Sequence, residues 1–179
     1  KQVILQKGPS RPVNVIALWE SPLDGNIWAG TFDNGVFVVN PDGKIIRQLT
    51  TQNGLQDNNV LSIAGDQRRV WLATFGGVTT VDLQTQLCTR LDEIGNGYVY
   101  KVFLDSKGRV WFGTDGAGLI VFENGQFRPF KEVNGKTLKT IYSIAEDRRG
   151  QIWFTTDKDG LFRFDGDHFY RYDTKNNLH

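Results

Sequence analysis

Few side chains in this sequence could make or break bonds. There are two histidines, His168 and the terminal His179, and a single cysteine, Cys88. One cysteine forms no internal disulfide and cannot by itself hold zinc. No G-x-S-x-G turn and no phosphate-cradling glycine loop is present. His168 opens a predicted outer strand, and a catalytic histidine needs partners that the local sequence does not supply. The D-K-D-G run at 157–160 begins like a calcium loop but lacks the later glutamate, so it reads as a hairpin turn. The expectation is a chain without catalytic residues, metal or cofactor.

What the sequence does supply is recognition chemistry. Short polar segments combine Asp, Asn and aromatic side chains: Phe32-Asp33-Asn34, Phe75-Gly76, Asp115-Gly116-Ala117 and Asp157-Lys158-Asp159. A second set comprises Gln56-Asp57-Asn58-Asn59, Asn96-Gly97-Tyr98 and Asn134-Gly135-Lys136. That mixture suits a sugar, because amides and carboxylates bond hydroxyls while a ring covers the apolar face of a pyranose. Asn, Asp and Gly are also the ordinary residues of tight turns. Tyr98 and Phe75 are the stronger candidates, since a turn has no need of a large ring, although either ring could pack inside the fold. Lys101 stands where the other repeats carry Ala17, Ser62 and Ser143. It could meet an acidic sugar or a phosphate, or pair with a nearby carboxylate. The candidate ligand-binding residues are therefore Phe32, Asp33, Asn34, Phe75, Tyr98, Lys101, Asp115, Asp157 and Lys158.

A fourfold repeat must position these residues. IWAGTFDNGVFVV (27–39), VWLATFGGVTTVD (70–82), VWFGTDGAGLIVF (110–122) and IWFTTDKDGLFRF (152–164) align. Trp28, Trp71, Trp111 and Trp153 stand 43, 40 and 42 residues apart. A threonine follows each by three positions (Thr31, Thr74, Thr114, Thr156), and then a glycine (Gly35, Gly77, Gly118, Gly160). Short apolar runs precede each tryptophan, with turns at Asp24-Gly25, Lys107-Gly108 and Arg149-Gly150. The second repeat carries Arg68-Arg69 there and is one residue shorter, so its turn must differ. Further turns at Asp42-Gly43, Asn124-Gly125 and Asp165-Gly166 lead into last strands, and no helical period occurs.

A unit of about 40 residues holding a four-stranded antiparallel sheet is a propeller blade. The expected fold class is all-β: a β-propeller segment of four blades, part of a larger propeller. Residues 1–12 would end a preceding blade, with Gln2–Leu5 as its strand. Blades would then occupy 13–57, 58–96, 97–135 and 136–179, with Asn176-Asn177-Leu178 starting the next link. The tryptophans are expected between neighbouring blades. Unpaired sheet edges would favour self-association or further blades.

Composition narrows the partners. The net charge of +1 provides no bulk field for nucleic acid or an anionic membrane surface. No run of about 18 apolar residues could cross a bilayer, and no cleavable leader is evident. A chain that begins at Lys1 and holds no methionine reads as a piece of a longer protein.

The repeat V-x-S-I-x-x-D-x-x-G-x-I-W-x-x-T-x-x-x-G-L-x-x-[FY]-D resembles the two-component regulator propeller repeat. It stands most cleanly as IYSIAEDRRGQIWFTTDKDGLFRFD (141–165), and VYKVFLDSKGRVWFGTDGAGLIVFE (99–123) is nearly as good. The second repeat departs from it by losing the turn glycine, and the first carries an extra residue before Gly25. The resemblance implies the extracytoplasmic, periplasmic-side sensor of a membrane-anchored bacterial regulator, often a hybrid histidine kinase. Many such regulators respond to polysaccharide breakdown products. The expected function is thus a non-catalytic, ligand-sensing module that takes a small molecule, an oligosaccharide by preference, and signals through changed association. The alternatives are a protein-interaction scaffold and, less favoured, a propeller lyase.

Overall fold

The computed structural model describes residues 12–173. The expected strand at Gln2–Leu5, the link at 176–178 and His179 lie outside the described residues. The chain divides into two compact units, Lys1–Tyr98 and Val99–His179.

The first unit holds two antiparallel four-stranded sheets. One is β1 (Val15–Glu20), β2 (Ile27–Thr31), β3 (Val36–Val39) and β4 (Ile45–Leu49); the other is β5 (Val60–Gly65), β6 (Arg69–Thr74), β7 (Gly77–Asp82) and β8 (Cys88–Arg90). The second unit repeats the plan with β9 (Val99–Leu104), β10 (Val110–Thr114), β11 (Leu119–Glu123) and β12 (Gln126–Phe130). A two-stranded hairpin follows, β13 (Glu132–Val133) with β14 (Lys136–Thr137). The last sheet is β15 (Ile141–Glu146), β16 (Ile152–Thr156), β17 (Leu161–Phe164) and β18 (Phe169–Tyr172). In each four-stranded sheet the strands lie in chain order, so every connection is a hairpin. The all-β, four-bladed reading holds.

Sequence predicts a plain link at Asn134-Gly135-Lys136, and the structure makes it a hairpin. Asn134 and Gly135 both take positive φ, 52° and 71°, the pairing that a two-residue hairpin turn demands. The shortened turn of the second repeat closes without glycine. Asp66 Oδ1 accepts from the amides of Arg68 and Arg69, both at 2.7 Å.

The recurring threonine is explained by one device in all four sheets. Thr31 Oγ1 donates to the Gly35 carbonyl at 2.7 Å and accepts from the Asn34 amide at 3.1 Å. Thr114 does the same with Gly118 and Ala117, and Thr156 with Gly160 and Asp159. Thr74 donates to the Gly77 carbonyl and accepts from the Gly76 amide, one residue nearer because that loop is shorter. The hydroxyl thus ties both sides of the hairpin between the second and third strands. The glycine is equally constrained: a Cβ at Gly35 (φ 71°) would sit 1.9 Å from the Leu49 carbonyl oxygen at the end of β4.

Within each unit the sheets bury a shared core. Trp28, Val36 and Leu49 pack with Ile63, Val70 and Leu72 across the first unit's two sheets. Trp111 and Leu119 pack with Ile144, Ile152, Phe154 and Phe164 across the second unit's. Trp28 and Trp111 therefore sit between blades as expected, and Trp71 is buried. Trp153 differs: it is half-buried and stacks on Tyr172 with ring centroids 5.3 Å apart. Glycine two residues after the tryptophan permits close approach of the next blade. A Cβ at Gly113 would lie 2.8 Å from the Ile141 carbonyl oxygen.

Thr114→Val keeps the shape but strands the Ala117 amide and leaves the Gly118 carbonyl with the Thr114 amide alone. It is expected to cost about 1–3 kcal/mol, and Thr114→Ser less. Trp111→Ala, which empties the core between the sheets, should cost about 3–5 kcal/mol. Urea denaturation followed by tryptophan fluorescence measures the threonine series, and circular dichroism the Trp111 variant.

Candidate functional site

Clamped hairpins and interblade links converge at one end of the first unit's sheets. The Asp33 amide donates to Asn59 Oδ1 at 3.1 Å and the Gly35 amide to the Asn58 carbonyl at 2.9 Å. The Phe75 amide donates to the Asn59 carbonyl at 3.3 Å. Asn59 is itself held by Asp57, whose Oδ1 accepts its amide and its Nδ2 at 2.7 and 2.9 Å. The link 50–59 thus pins the hairpin loops of both blades, giving them the rigidity that loop recognition requires.

Three rings stand on this frame. Phe75 packs edge-to-face on Phe32 at 5.7 Å and stacks on Tyr98 at 4.5 Å. Phe32 is 41% exposed and Tyr98 46%, whereas Phe75 is half-buried. Phe75 therefore acts as the spacer, and the rings offered to solvent are Phe32 and Tyr98. Beside Phe32 lies an open cavity of about 320 Å³, with Asp33 and Asn34 on one wall. Gln48 from β4 and Thr50, Thr51, Gln52 and Asn58 from the link complete it. Among the described residues, buried Asn34 Oδ1 has no hydrogen-bond partner, and neither has the buried Gln56 Oε1 in the link 50–59. A lining of amides and hydroxyls next to exposed rings can bond a polyhydroxylated ligand and cover its apolar face.

The sequence-chosen residues divide between the units. Phe32, Asp33, Asn34, Phe75 and Tyr98 come together in the first. Lys101, Asp115, Asp157 and Lys158 lie in the second. There Asp115 Oδ1 accepts from Thr140 Oγ1 at 2.8 Å, and the Asp157 amide donates to the Thr140 carbonyl at 3.3 Å. Lys158 is exposed. Lys101 is half-buried opposite Gly113 on β10, in the register that Ala17, Ser62 and Ser143 occupy in their own sheets.

Sequence reasoning missed two features. The first strand of every sheet carries a bulge just before that register position, at Ile16, Leu61, Tyr100 and Tyr142. Bulges re-aim side chains, and here the residue is always large and apolar or aromatic. The rings of Tyr100 and Tyr142 lie 5.2 Å apart. The signal was present as the variable position after the first Val or Ile of each repeat. The second feature is the reach of the turn aspartates. Asp105 and Asp147 cap their turns through one carboxylate oxygen, and their second oxygens accept the indole N–H of Trp111 and Trp153, at 2.8 and 2.9 Å. Arg109 adds a buried ion pair to Asp105 at 2.6 Å.

These contacts set the charge. Burial alone would push the Asp105 carboxyl up, but the Trp111 indole, the Arg109 amide and its guanidinium together hold it below the usual range. For Asp147 the indole N–H of Trp153 leads, followed by the Gln151 amide, and the direction is the same. A carboxylate whose folded pKa lies below its unfolded value stabilises the fold above the unfolded pKa. That contribution is lost as the pH falls through the folded pKa.

With that geometry in hand, the blades can be placed among known proteins. Four-stranded antiparallel sheets with clamped hairpins and interblade tryptophans define a β-propeller domain. Residues 93–116 and 135–158 match the two component regulator propeller family, and the chain carries repeats of that family. No curated protein matches the chain. Among solved structures, it is similar to the extracellular domain assigned to a hybrid two component system of B. thetaiotaomicron. Identity there is 31% over 99% of this chain, with a TM-score of 0.80. A second such extracellular domain from B. thetaiotaomicron shares 20% identity over 97% of this chain, with a TM-score of 0.73. The chain spans about a quarter of the length of each, 25% and 24%. A virginiamycin B lyase from Staphylococcus aureus, in a catalytically inactive form with quinupristin, shares the fold at 16% identity and a TM-score of 0.70. That match covers 90% of this chain and 57% of the lyase. The extracellular relatives support an extracytoplasmic location and a sensor-like role.

Asp105→Asn leaves the buried Arg109 without its counter-charge and should cost about 3 kcal/mol at neutral pH. The same variant should flatten the loss of stability from about pH 5 downward. Urea midpoints across a pH series, for parent and variant, measure both.

Proposed function

We propose that the loop face of the first unit binds a carbohydrate, and that the chain serves as the recognition part of an extracytoplasmic regulator without catalysing a reaction. The observation that carries this is the exposed ring pair Phe32 and Tyr98, held apart by Phe75, with Asp33 and Asn34, which follow Phe32 in the chain, lining a cavity of amides and hydroxyls. A rigid aromatic buries apolar sugar surface at little conformational cost, while amides read the hydroxyls. The face carries no histidine or cysteine. Its chemistry is that of holding a ligand. Signalling follows if the liganded and unliganded states differ in association, because a ligand shifts an equilibrium only through differential affinity.

Tyr98→Ala and Phe32→Ala should each weaken oligosaccharide binding about tenfold, roughly 1.4 kcal/mol, without shifting the urea midpoint appreciably. Calorimetric titration of a glycan identified by array screening checks this; unchanged affinity in both variants would exclude the ring face as the binding surface.

A second reading concerns association and rests on a separate observation. On the first sheet Ile16, Leu18, Ile45 and Ile46 are all exposed, Leu18 to 68%. They lie on the two edge strands, β1 and β4, and exposed apolar edge strands invite pairing with another chain, which we read as self-association. Sedimentation velocity across a wide concentration range should show a dimer that Leu18→Glu with Ile46→Glu abolishes. A monomer at all concentrations would rule this reading out.

A further inference from the structure

The charge of the loop face carries the carbohydrate reading one step further, and this step rests on that reading. Four segments build the face: 31–35, 50–59, 74–77 and 91–98. They contain Asp33, Asp57, Asp92 and Glu93, and no lysine or arginine. The two buried, unpartnered polar atoms within them, Asn34 Oδ1 and Gln56 Oε1, are both acceptors. What this face lacks is donors with positive charge, and what it holds in surplus is acceptors. The repeat does not impose this. The second unit's corresponding segments, 114–118, 131–140 and 156–160, carry Lys131, Lys136, Lys139 and Lys158 beside Asp115, Glu132, Asp157 and Asp159.

We propose that the first unit's face selects neutral or amino-bearing oligosaccharides and rejects those carrying uronate or sulfate groups. A sugar hydroxyl can bond the amides and hydroxyls of Gln48, Thr51, Gln52 or Asn58 that line the cavity, while exposed Phe32 or Tyr98 offers a ring to its apolar face. A carboxylate or sulfate brings only further acceptors, and recognition of such anions relies on charged donors such as arginine. Brought to segments that carry four carboxylates and no cation, it meets like charge. An ammonium group on a sugar meets the reverse: carboxylates at medium range and two exposed aromatic faces that attract cations.

The test is an immobilised panel of neutral glucans, galactans, mannans and chitin oligomers, with chitosan oligomers, oligogalacturonides and sulfated chondroitin oligosaccharides of matched length. The 179-residue chain and its Tyr98→Ala variant are applied at low and at physiological ionic strength. The expected result is binding of one or more neutral or amino-bearing glycans that Tyr98→Ala reduces about tenfold. Acidic members of matched length should bind at least tenfold more weakly. That gap should narrow with added salt, as screened repulsion requires, and again in the double variant Asp92→Asn, Glu93→Gln. Tyr98-dependent binding of uronate or sulfated glycans equal to that of neutral ones would overturn the charge selection and leave the carbohydrate reading standing. Absence of Tyr98-dependent binding to every member would overturn both.

Discussion

One hydroxyl per blade holds the architecture in place. Each recurring threonine closes the hairpin between the second and third strands by donating to a glycine carbonyl and accepting an amide from the loop. The glycine it grips lies against the end of the outermost strand, Leu49 in the first sheet and Tyr172 in the last, where no Cβ would fit. Its amide or its neighbour's reaches the following link, as Gly35 does to Asn58 and Gly116 and Gly118 to Lys139. A single corner therefore joins three things: the inner hairpin, the outer strand and the next blade. Each bond is individually modest, on the order of 1 kcal/mol. Their joint effect is geometric, because they leave the loop no alternative conformation that keeps its buried polar groups satisfied.

That corner explains how loops as short as Phe32-Asp33-Asn34 and Phe75-Gly76 hold the side chains of the proposed recognition face in place. The backbone on either side is already tied down, so side chains here face little further ordering cost when a ligand arrives. Phe75 converts the arrangement into a platform by filling the gap between Phe32 and Tyr98. Asn59, anchored by Asp57, supports the two hairpins at once. Trp28 and Trp111 fill the space between blades within their units, and in the second unit Asp105 and Asp147 fix the indoles of Trp111 and Trp153 by their N–H groups.

The same blade plan is found in extracellular domains of two component systems and in a virginiamycin B lyase. Fold alone therefore does not separate recognition from catalysis. The first unit's loop segments carry rings, amides, hydroxyls and carboxylates, and in the second unit the His168 amide is bonded to Asp165 in the turn before β18.

The repeat was legible in the sequence because its signals are local. Trp28 to Trp153, the threonine three residues on and the glycine after it are all requirements of one hairpin, and a hairpin is written in consecutive residues. Blade count, strand order and the Gly and Asn turns follow from that same local chemistry, as does the presence of Phe32, Phe75 and Tyr98 in loops. Tertiary structure decided what periodicity cannot encode. It placed Phe75 inside the ring cluster rather than on its surface, since residues 32, 75 and 98 meet only when blades stack. It sent the second oxygens of Asp105 and Asp147 to an indole six residues away, put a bulge in every first strand, and left Asn34 Oδ1 without a partner. The ring cluster depends on distances between segments far apart in the chain, which packing of one sheet on another sets, whereas the indole contacts and bulges depend on the register in which neighbouring strands of one sheet pair.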